Sequence, residues 1–143
     1  MLLADVNVFL YAHRPESPRH EEHLEWLSRR LAGDEPFGVS EVVLASFVRI
    51  CTHHRIYREP TPLDVALEFC AAVLASPAAV AVRPGPRHWG TFAALCRAVG
   101  ARGNIVPDAY LAALALENGA TWVTTDRGFA RFPGLVWTAP LEA

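Results

Sequence analysis

Short apolar runs alternate with helical patterns along the whole chain, and this alternation constrains the fold more than any other feature. Apolar runs of a few residues are typical of strands buried on both faces of a sheet. Between them lie longer segments whose apolar residues repeat every three or four positions, as on one face of a helix. The alternation predicts an α/β fold with a central, mostly parallel sheet and helices on both faces. The predicted strands are residues 2–4, 37–39, 79–83, 121–125 and 135–137.

Several predicted helices carry capping residues. Ser17 followed by proline is typical of an N-cap and a first-turn proline, so the second helix is predicted to begin there. Ser40 predicts the cap of a third helix, which is apolar nearly all round and therefore central. Residues 61–64 resemble a capping box with Asp64 in place of the usual glutamate. Trp89 lies on the apolar stripe of a later helix, which predicts a place in the core.

Size and composition predict one domain, residues 1–143. Of the 143 residues 52% are hydrophobic, enough for a single core. The longest uncharged stretch, residues 69–82, is too short for a membrane span. Asp5 interrupts the apolar start of the chain, so no secretory signal is predicted. The chain contains no CxxC pair, so neither a disulfide framework nor a cysteine zinc site is predicted. We therefore expect a cytoplasmic protein with reduced thiols and no membrane contact.

Three acidic residues occupy positions at which α/β proteins bind ligands. Asp5 follows the first predicted strand and Asp126 follows the fourth, so both are expected at carboxyl ends of strands. Asp108 follows Pro107 at the start of a predicted helix. Carboxylates gathered at one edge repel one another unless a cation lies among them, and oxygen ligands suit Mg²⁺ or Mn²⁺. The sequence predicts a metal site formed by Asp5, Asp108 and Asp126.

Each acid also has an ordinary structural explanation. Asp5 could serve only as an N-cap, with Asn7 in the same local role, and Asp108 is a common type of first-turn acid. Asp126, followed by arginine and glycine, fits a turn. A bare carboxylate beside a buried segment is costly, however, and three such positions together favour a functional site. Glu41 is a weaker candidate, because an acid in a first helical turn needs no further reason.

All thirteen basic residues are arginine, which excludes several chemistries. Without lysine the chain has no P-loop or Schiff-base lysine, and none of the kind that receiver domains and haloacid-dehalogenase-type phosphatases use. No GxSxG motif or Cys/His pairing predicts a covalent nucleophile. The net charge is −2, so bulk charge does not attract nucleic acid, but arginines around a metal can bind phosphates.

Histidine offers a second, weaker metal hypothesis. His20 and His23 stand three residues apart on a predicted helix, a spacing that could bind zinc. Both lie among glutamates, so we expect them to be solvated and free of metal.

Three stretches contain the acids in order. They are residues 4–12 (ADVNVFLYA), 107–115 (PDAYLAALA) and 124–129 (TTDRGF). Together they resemble the acidic signatures of PIN-domain ribonucleases and, more narrowly, of the VapC toxins of bacterial toxin–antitoxin pairs. Each stretch alone is weak, whereas the ordered set at this chain length is specific and covers essentially the whole chain.

The resemblance implies a PIN-like three-layer fold and Mg²⁺- or Mn²⁺-dependent endonucleolytic cleavage of tRNA, rRNA or mRNA, which inhibits translation and growth. It also implies a homodimer and a cognate VapB-type antitoxin. By position, Asp5 and Asp108 match the principal metal ligands, and Asp126 matches a third acid that holds metal directly or through water. Asn7 and Thr125 match polar neighbours of the first and last acids.

One position departs from the family pattern. Many members carry a further acid inside the central helix, where this chain has Ala45 and Ser46. Glu41, one turn earlier, is the only acid available there. Either Glu41 joins the cluster as a catalytic residue, or the site uses three carboxylates.

Arg14, Arg102 and Arg127 are the candidates for holding RNA phosphates. Two other classes of function stay open. A catalytically degenerate PIN domain would bind RNA or a protein partner without cutting. A signalling domain would use Asp5 or Asp126 as a phosphoacceptor, but the absence of lysine counts against it.

Overall fold

Five short strands form a single parallel sheet in a computed structural model that describes all 143 residues. The sheet order is β3-β2-β1-β4-β5, and every neighbouring pair is parallel. The strands are β1 (Leu2–Ala4), β2 (Phe37–Val39), β3 (Ala79–Ala81), β4 (Thr121–Val123) and β5 (Trp137–Thr138). The central strands are largely buried, whereas the edge strand β3 is mostly exposed. The predicted α/β class and parallel sheet are confirmed.

Six helices connect the strands and flank the sheet. They are α1 (Val6–His13), α2 (His20–Ala32), α3 (Glu41–Cys51), α4 (Leu63–Leu74), α5 (His88–Val99) and α6 (Ile105–Glu117). The helices α1 to α4 pack on one another, and α5 packs on α6. The chain runs outward from β1 to β3 and then returns across the sheet to β4. Because crossovers between parallel strands are right-handed, this reversal puts the two helix groups on opposite faces, which gives three layers.

One hydrophobic cluster of 30 buried residues fills the space between these layers. Large side chains from the strands and from α1 and α3 are fully buried, among them Phe9, Phe37, Phe47 and Trp122. The buried face of α6 consists mainly of alanine, which lets this helix lie close to β4. None of the helices is long and apolar enough to cross a membrane.

The second helix begins later than Ser17 predicts. Arg19 adopts the left-handed conformation (φ 53°, ψ 38°), and α2 starts at His20. Since a right-handed helix cannot continue through such a residue, Ser17 cannot cap it. The backbone N–H of Ser17 instead donates to the carbonyl of Arg14 (3.0 Å).

The capping box predicted at residues 61–64 is also wrong. The hydroxyl of Thr61 makes no cap; it lies 3.0 Å from Nε2 of His13 and accepts from Nη1 of Arg14 (3.1 Å). The Thr61 hydroxyl bonds to residues distant in the sequence, so it does not cap the helix. Ser40 does occupy the N-cap position of α3, although its side chain makes no capping hydrogen bond.

The core position predicted for Trp89 belongs to its neighbour His88. Trp89 is 71% exposed, while His88 is buried and its Nε2 lies 2.9 Å from the carbonyl oxygen of Tyr110. The helix α5 packs on α6 through this polar contact, so hydrophobicity alone misplaces the buried stripe.

Candidate active site

The carboxyl ends of β1 and β4 lie side by side at the point where the strand order reverses. In parallel sheets this reversal opens a crevice in which ligands bind. Asp5 follows β1 directly, and its backbone N–H donates to the carbonyl of Val123 (2.9 Å). Asp126 follows β4 after Thr124 and Thr125. The fold therefore brings the first and last predicted acids to one crevice.

The carboxylate of Asp5 is buried and held by three donors. The backbone N–H of Val6 donates to Oδ1 (2.6 Å), so Asp5 is also the N-cap of α1. Oδ2 accepts from Nδ2 of Asn7 (3.0 Å) and from the hydroxyl of Thr124 (2.6 Å). The capping role of Asp5 is compatible with a functional one, because the cap fixes the orientation of the carboxylate at the crevice.

Asn7 and Thr124 join the loops after β1 and β4 into one network. Nδ2 of Asn7 also donates to the hydroxyl of Thr124 (3.0 Å), and Oδ1 of Asn7 accepts the backbone N–H of Thr125 (3.1 Å). The hydroxyl of Thr124 accepts the backbone N–H of Asp126 (3.0 Å). The threonine side chain that supports the acids is therefore Thr124, which is fully buried, and Thr125 contributes only its backbone.

Asp126 lies at the exposed rim of the crevice. Its Oδ1 accepts the backbone N–H of Gly128 (2.7 Å) and caps a short 3₁₀ helix, Arg127–Arg131. A Cβ on residue 128 would lie 2.9 Å from the same oxygen, so a larger residue there would displace the carboxylate of Asp126. The turn interpretation of Asp126 is thus correct as local structure, and it leaves the other carboxylate oxygen unbonded within the chain.

Asp108 completes the group from the first turn of α6. Burial, followed by the charge of Asp126, raises the pKa of Asp108, and the guanidinium of Arg131 opposes this rise. Burial raises the pKa of Asp5 to about 6; its hydrogen bonds from Thr124 and Val6 oppose the rise, and the charges of Asp108 and Asp126 add to it. The three carboxylates are therefore close enough to repel one another.

This electrostatic arrangement suits a hard divalent cation. The candidate metal ligands are all carboxylate oxygens, which favours Mg²⁺ or Mn²⁺ over zinc. A cation among them would offset the mutual repulsion of the carboxylates, which adds to the effect of burial on the pKa of Asp5. As the side chains stand, no three His, Cys, Asp or Glu residues are grouped to hold one ion jointly. The Asp5 carboxylate and one oxygen of Asp126 accept hydrogen bonds from within the chain.

Glu41 is engaged elsewhere. Its Oε1 forms a 2.9 Å ion pair with Nη2 of Arg83, and both side chains are largely exposed. Glu41 is also absent from the charges that act on Asp5. Of the two alternatives for this site, the geometry favours three carboxylates.

The predicted phosphate-binding arginines differ in availability. Arg14 is bound by Glu16, by Thr61 and by the carbonyl of Glu59, and its guanidinium stacks 4.1 Å from the ring centre of Tyr57. It therefore has a structural role, which excludes it as a free phosphate ligand. Arg102 and Arg127 are exposed and unpaired.

Arg131 is the cation that the sequence analysis missed. Its Nε donates to the carbonyl of Gly128 (2.8 Å), and its charge acts on Asp108. Only the tight turn at Gly128 brings this guanidinium back to the acids. The sequence carries no separate signal for it.

The family of the chain follows from its whole length. The model of the PIN domain family matches residues 2–135. The chain belongs to the PIN-domain family. Among its relatives this PIN domain is 49% identical over 142 residues to VapC ribonuclease Mb2897 of Mycobacterium bovis, covering 99% of the chain and 97% of the relative. It is 45% identical over 132 residues to Ribonuclease VapC25 of Mycobacterium tuberculosis, covering 92% and 93%.

Solved structures share the fold of this PIN domain. VapBC-1 from nontypeable Haemophilus influenzae aligns with a TM-score of 0.70 at 13% identity, over 97% of both chains. VapC20 of Mycobacterium tuberculosis, described as a sarcin-ricin-loop-cleaving toxin, aligns with a TM-score of 0.67 at 15% identity, over 95% of this chain and 97% of that one. At these identities the likeness concerns the fold, and it confirms the predicted PIN-like architecture.

His20 and His23 of this PIN domain each have one ring nitrogen beside a backbone carbonyl. Nδ1 of His20 lies 2.8 Å from the carbonyl oxygen of Tyr11, and Nδ1 of His23 lies 2.9 Å from that of Arg19. His23 is buried, contrary to the prediction that both are solvated. The glutamates beside it in sequence lie on the other side of the helix.

Proposed function

We propose that this PIN domain, residues 1–143, is a metal-dependent endoribonuclease and the toxin of a VapBC-type toxin–antitoxin pair. The observation that carries the proposal is that Asp5 and Asp126 follow the two strands at the switch point of the sheet, with Asp108 near enough for the three charges to act on one another. The VapC ribonucleases at 49% and 45% identity support the reaction class. Cleavage of cellular RNA would take place in the cytoplasm and inhibit translation and growth.

Each side chain has a distinct part in the hydrolysis. Asp5 and Asp108 would hold Mg²⁺ or Mn²⁺, and Asp126, at the exposed rim, would complete the ligands or orient the attacking water. When bound, the ion neutralises charge on the phosphodiester and activates water. Thr124 and Asn7 keep the carboxylate of Asp5 in a fixed orientation.

Exposed arginines around the acids bind the flanking phosphates. The charge of Arg131 acts on Asp108, and Arg102 and Arg127 are unpaired at the surface. Arginine donates to phosphate in a bidentate manner, so these residues position the RNA backbone without reading its sequence. Glu41 has no part in this proposal, since it pairs with Arg83.

A VapB-type antitoxin and a second copy of the chain are the proposed protein partners. Solved VapBC assemblies share this fold, such as VapBC2 of Rickettsia felis, with a TM-score of 0.68 at 17% identity. An apolar groove of about 330 Å³ between α3, α5 and α6 supports a protein contact; Val42, Phe92 and Leu111 are among its lining residues. Co-purification with the product of a neighbouring short reading frame, and the mass of the purified protein in solution, test the two partners separately.

The decisive experiment is cleavage of total tRNA and structured RNA by the purified, antitoxin-free protein with Mg²⁺, Mn²⁺ or EDTA. Discrete fragments are expected only with metal, and none from Asp5→Asn or Asp108→Asn. Asp64→Asn is the matched control, because Asp64 is also a first-turn acid but lies on the exposed start of α4.

Two results would count against the enzyme. Equal cleavage by all variants would mean that a contaminant cuts the RNA or that the active site lies elsewhere. RNA binding without cleavage in any metal, unaffected by Asp5→Asn, would favour the degenerate binding module instead.

A further inference from the structure

A pocket of about 250 Å³ lies beside the acidic crevice, between the end of α1, the start of α2 and the last residues of the chain. Thr125 forms part of its wall, and the backbone N–H of Thr125 donates to Asn7 in the network that holds Asp5. The pocket is therefore tied to the acidic crevice through one residue. Its other walls include Tyr11, Arg19, His23, Pro140 and Leu141.

Two aromatic rings meet in this wall. The rings of Tyr11 and His23 lie edge to face, with centres 5.2 Å apart and an interplanar angle of 88°. Pro140 and Leu141 add apolar surface, and the charged residues Arg19 and Glu142 also line the pocket. A small pocket that combines aromatic and apolar surface with a few polar groups suits a flat ring with polar edges.

The imidazole of His23 presents a defined polar atom. Its Nδ1 lies 2.9 Å from the carbonyl oxygen of Arg19, which can only accept, so Nδ1 carries the proton. In the neutral ring Nε2 is then an acceptor, and it has no partner within the chain. A ligand with an N–H or amino donor at the edge of a flat ring matches this atom.

Arg19 holds this arrangement in a strained conformation. It is the only residue other than glycine with positive φ (53°). Its carbonyl oxygen also accepts the backbone N–H of His23 (3.1 Å). Strain of this kind is retained where the surrounding structure requires it, and such residues cluster at functional sites.

The spacing fits a nucleotide next to the cut bond. Tyr11 lies six residues after Asp5, which corresponds to about 9 Å along α1. We propose that this pocket binds one unstacked nucleobase of the RNA, adjacent to the phosphodiester that is cleaved at the acidic crevice. The proposal rests on the ribonuclease function proposed above, and it gives the enzyme a means of choosing its site, since single-stranded RNA is read by stacking and by base edges.

Binding of short RNAs tests the pocket apart from catalysis. The Asp5→Asn protein in Mg²⁺ is titrated with the four RNA homohexamers and with a hexamer in which the bases are absent. At least one base-bearing hexamer is expected to bind about tenfold more tightly than the abasic one. Tyr11→Ala in the same background should abolish this difference, because stacking of one base on an aromatic ring contributes about this much.

Two further variants keep the test decisive if the Tyr11→Ala protein misfolds. Tyr11→Phe keeps the ring and should keep most of the base preference. Ala139→Leu fills the pocket from the opposite wall and should lose the preference with Tyr11 intact. Trp89→Ala, which removes an exposed aromatic ring on α5, is the control and should bind as the parent does.

The outcomes distinguish failure of the nucleobase-pocket proposal from failure of the ribonuclease proposal. Equal binding of base-bearing and abasic hexamers, or unchanged base preference in both Tyr11→Ala and Ala139→Leu, would overturn the pocket even if the wild type cuts RNA. A base preference that both variants abolish would support the pocket even if the wild type cuts no RNA, in which case the ribonuclease proposal alone would fail.

Discussion

Thr124 and Asp5 lie 119 positions apart in the chain, yet the hydroxyl of Thr124 donates a 2.6 Å hydrogen bond to Oδ2 of Asp5. The parallel pairing of β1 with β4 creates this contact, because it aligns Ala4 with Val123. The buried hydroxyl also accepts from Asn7 and from the backbone of Asp126. One oxygen thus organises the residues that follow both central strands.

Removal of this hydroxyl tests the network. Thr124→Val should lower the free energy of unfolding by about 1–3 kcal/mol, because a donor to Asp5 is lost and two internal donors lose their acceptor. RNA cleavage should fall with it. Thr125→Val is the matched control and should change stability by less than about 0.5 kcal/mol, since only its backbone bonds to the network. Urea unfolding without metal measures both, and similar losses for the two variants would contradict this role of Thr124.

The raised pKa of Asp5 predicts how stability depends on pH without metal. The folded protein holds the proton of Asp5 up to a pKa of about 6, whereas the unfolded chain releases it near the usual 3.8. Folded protein therefore binds more protons between these values, and stability falls as pH rises from about 4 to above 6. The loss amounts to about 3 kcal/mol for a shift of this size. Urea unfolding of wild type in EDTA should show this slope, and Asp5→Asn should remove most of it.

Added metal should reverse that loss. At pH 7.5, Mg²⁺ or Mn²⁺ should raise the Tm in proportion to the logarithm of its concentration above Kd, because the ion binds only the folded protein. The rise should disappear in Asp5→Asn and shrink in Asp108→Asn. Glu41→Gln should respond as the wild type does, since Glu41 pairs with Arg83. A lost response in Glu41→Gln would return this residue to the metal site.

The guanidinium of Arg131 is predicted to bind an RNA phosphate. Arg131→Gln should reduce kcat/KM for RNA about tenfold and lower the salt dependence of binding by about one counterion. Arg29→Gln is the control, because Arg29 lies on α2 and pairs only weakly with Glu25 at 3.9 Å. Equal salt dependence in the two variants would show that Arg131 serves only the turn at Gly128.

Substitution of glycine by alanine is expected to have opposite effects on stability at two positions. A Cβ at Gly38 in β2 would lie 3.0 Å from the carbonyl oxygen of Leu2 and 3.1 Å from the side chain of Leu3, so Gly38→Ala should destabilise the protein by about 1–3 kcal/mol. At Gly90 in α5 nothing lies within 4 Å, and Gly90→Ala should stabilise it by about 0.5–1 kcal/mol. Thermal unfolding of the pair checks both signs.

The fold class and several elements could be predicted because their signals are local. The bounds of β2, residues 37–39, follow from the sequence, since an apolar run and its flanking breakers are contained in a few residues. The start of α2 could not be predicted, because Arg19 adopts a left-handed conformation for which its residue type gives no signal.

The sequence by itself determined the α/β class, the parallel sheet and the three acids at strand ends and a helix start, because period, breakers and residue type act over short distances. Only the tertiary structure decided which neighbours serve those acids. The hydroxyl that bonds to Asp5 belongs to Thr124 and not to Thr125. Glu41 forms an ion pair with Arg83, and the charge of Arg131 acts on Asp108. These contacts join side chains brought together by strand register and turn geometry, and no local pattern specifies where a side chain meets a distant partner.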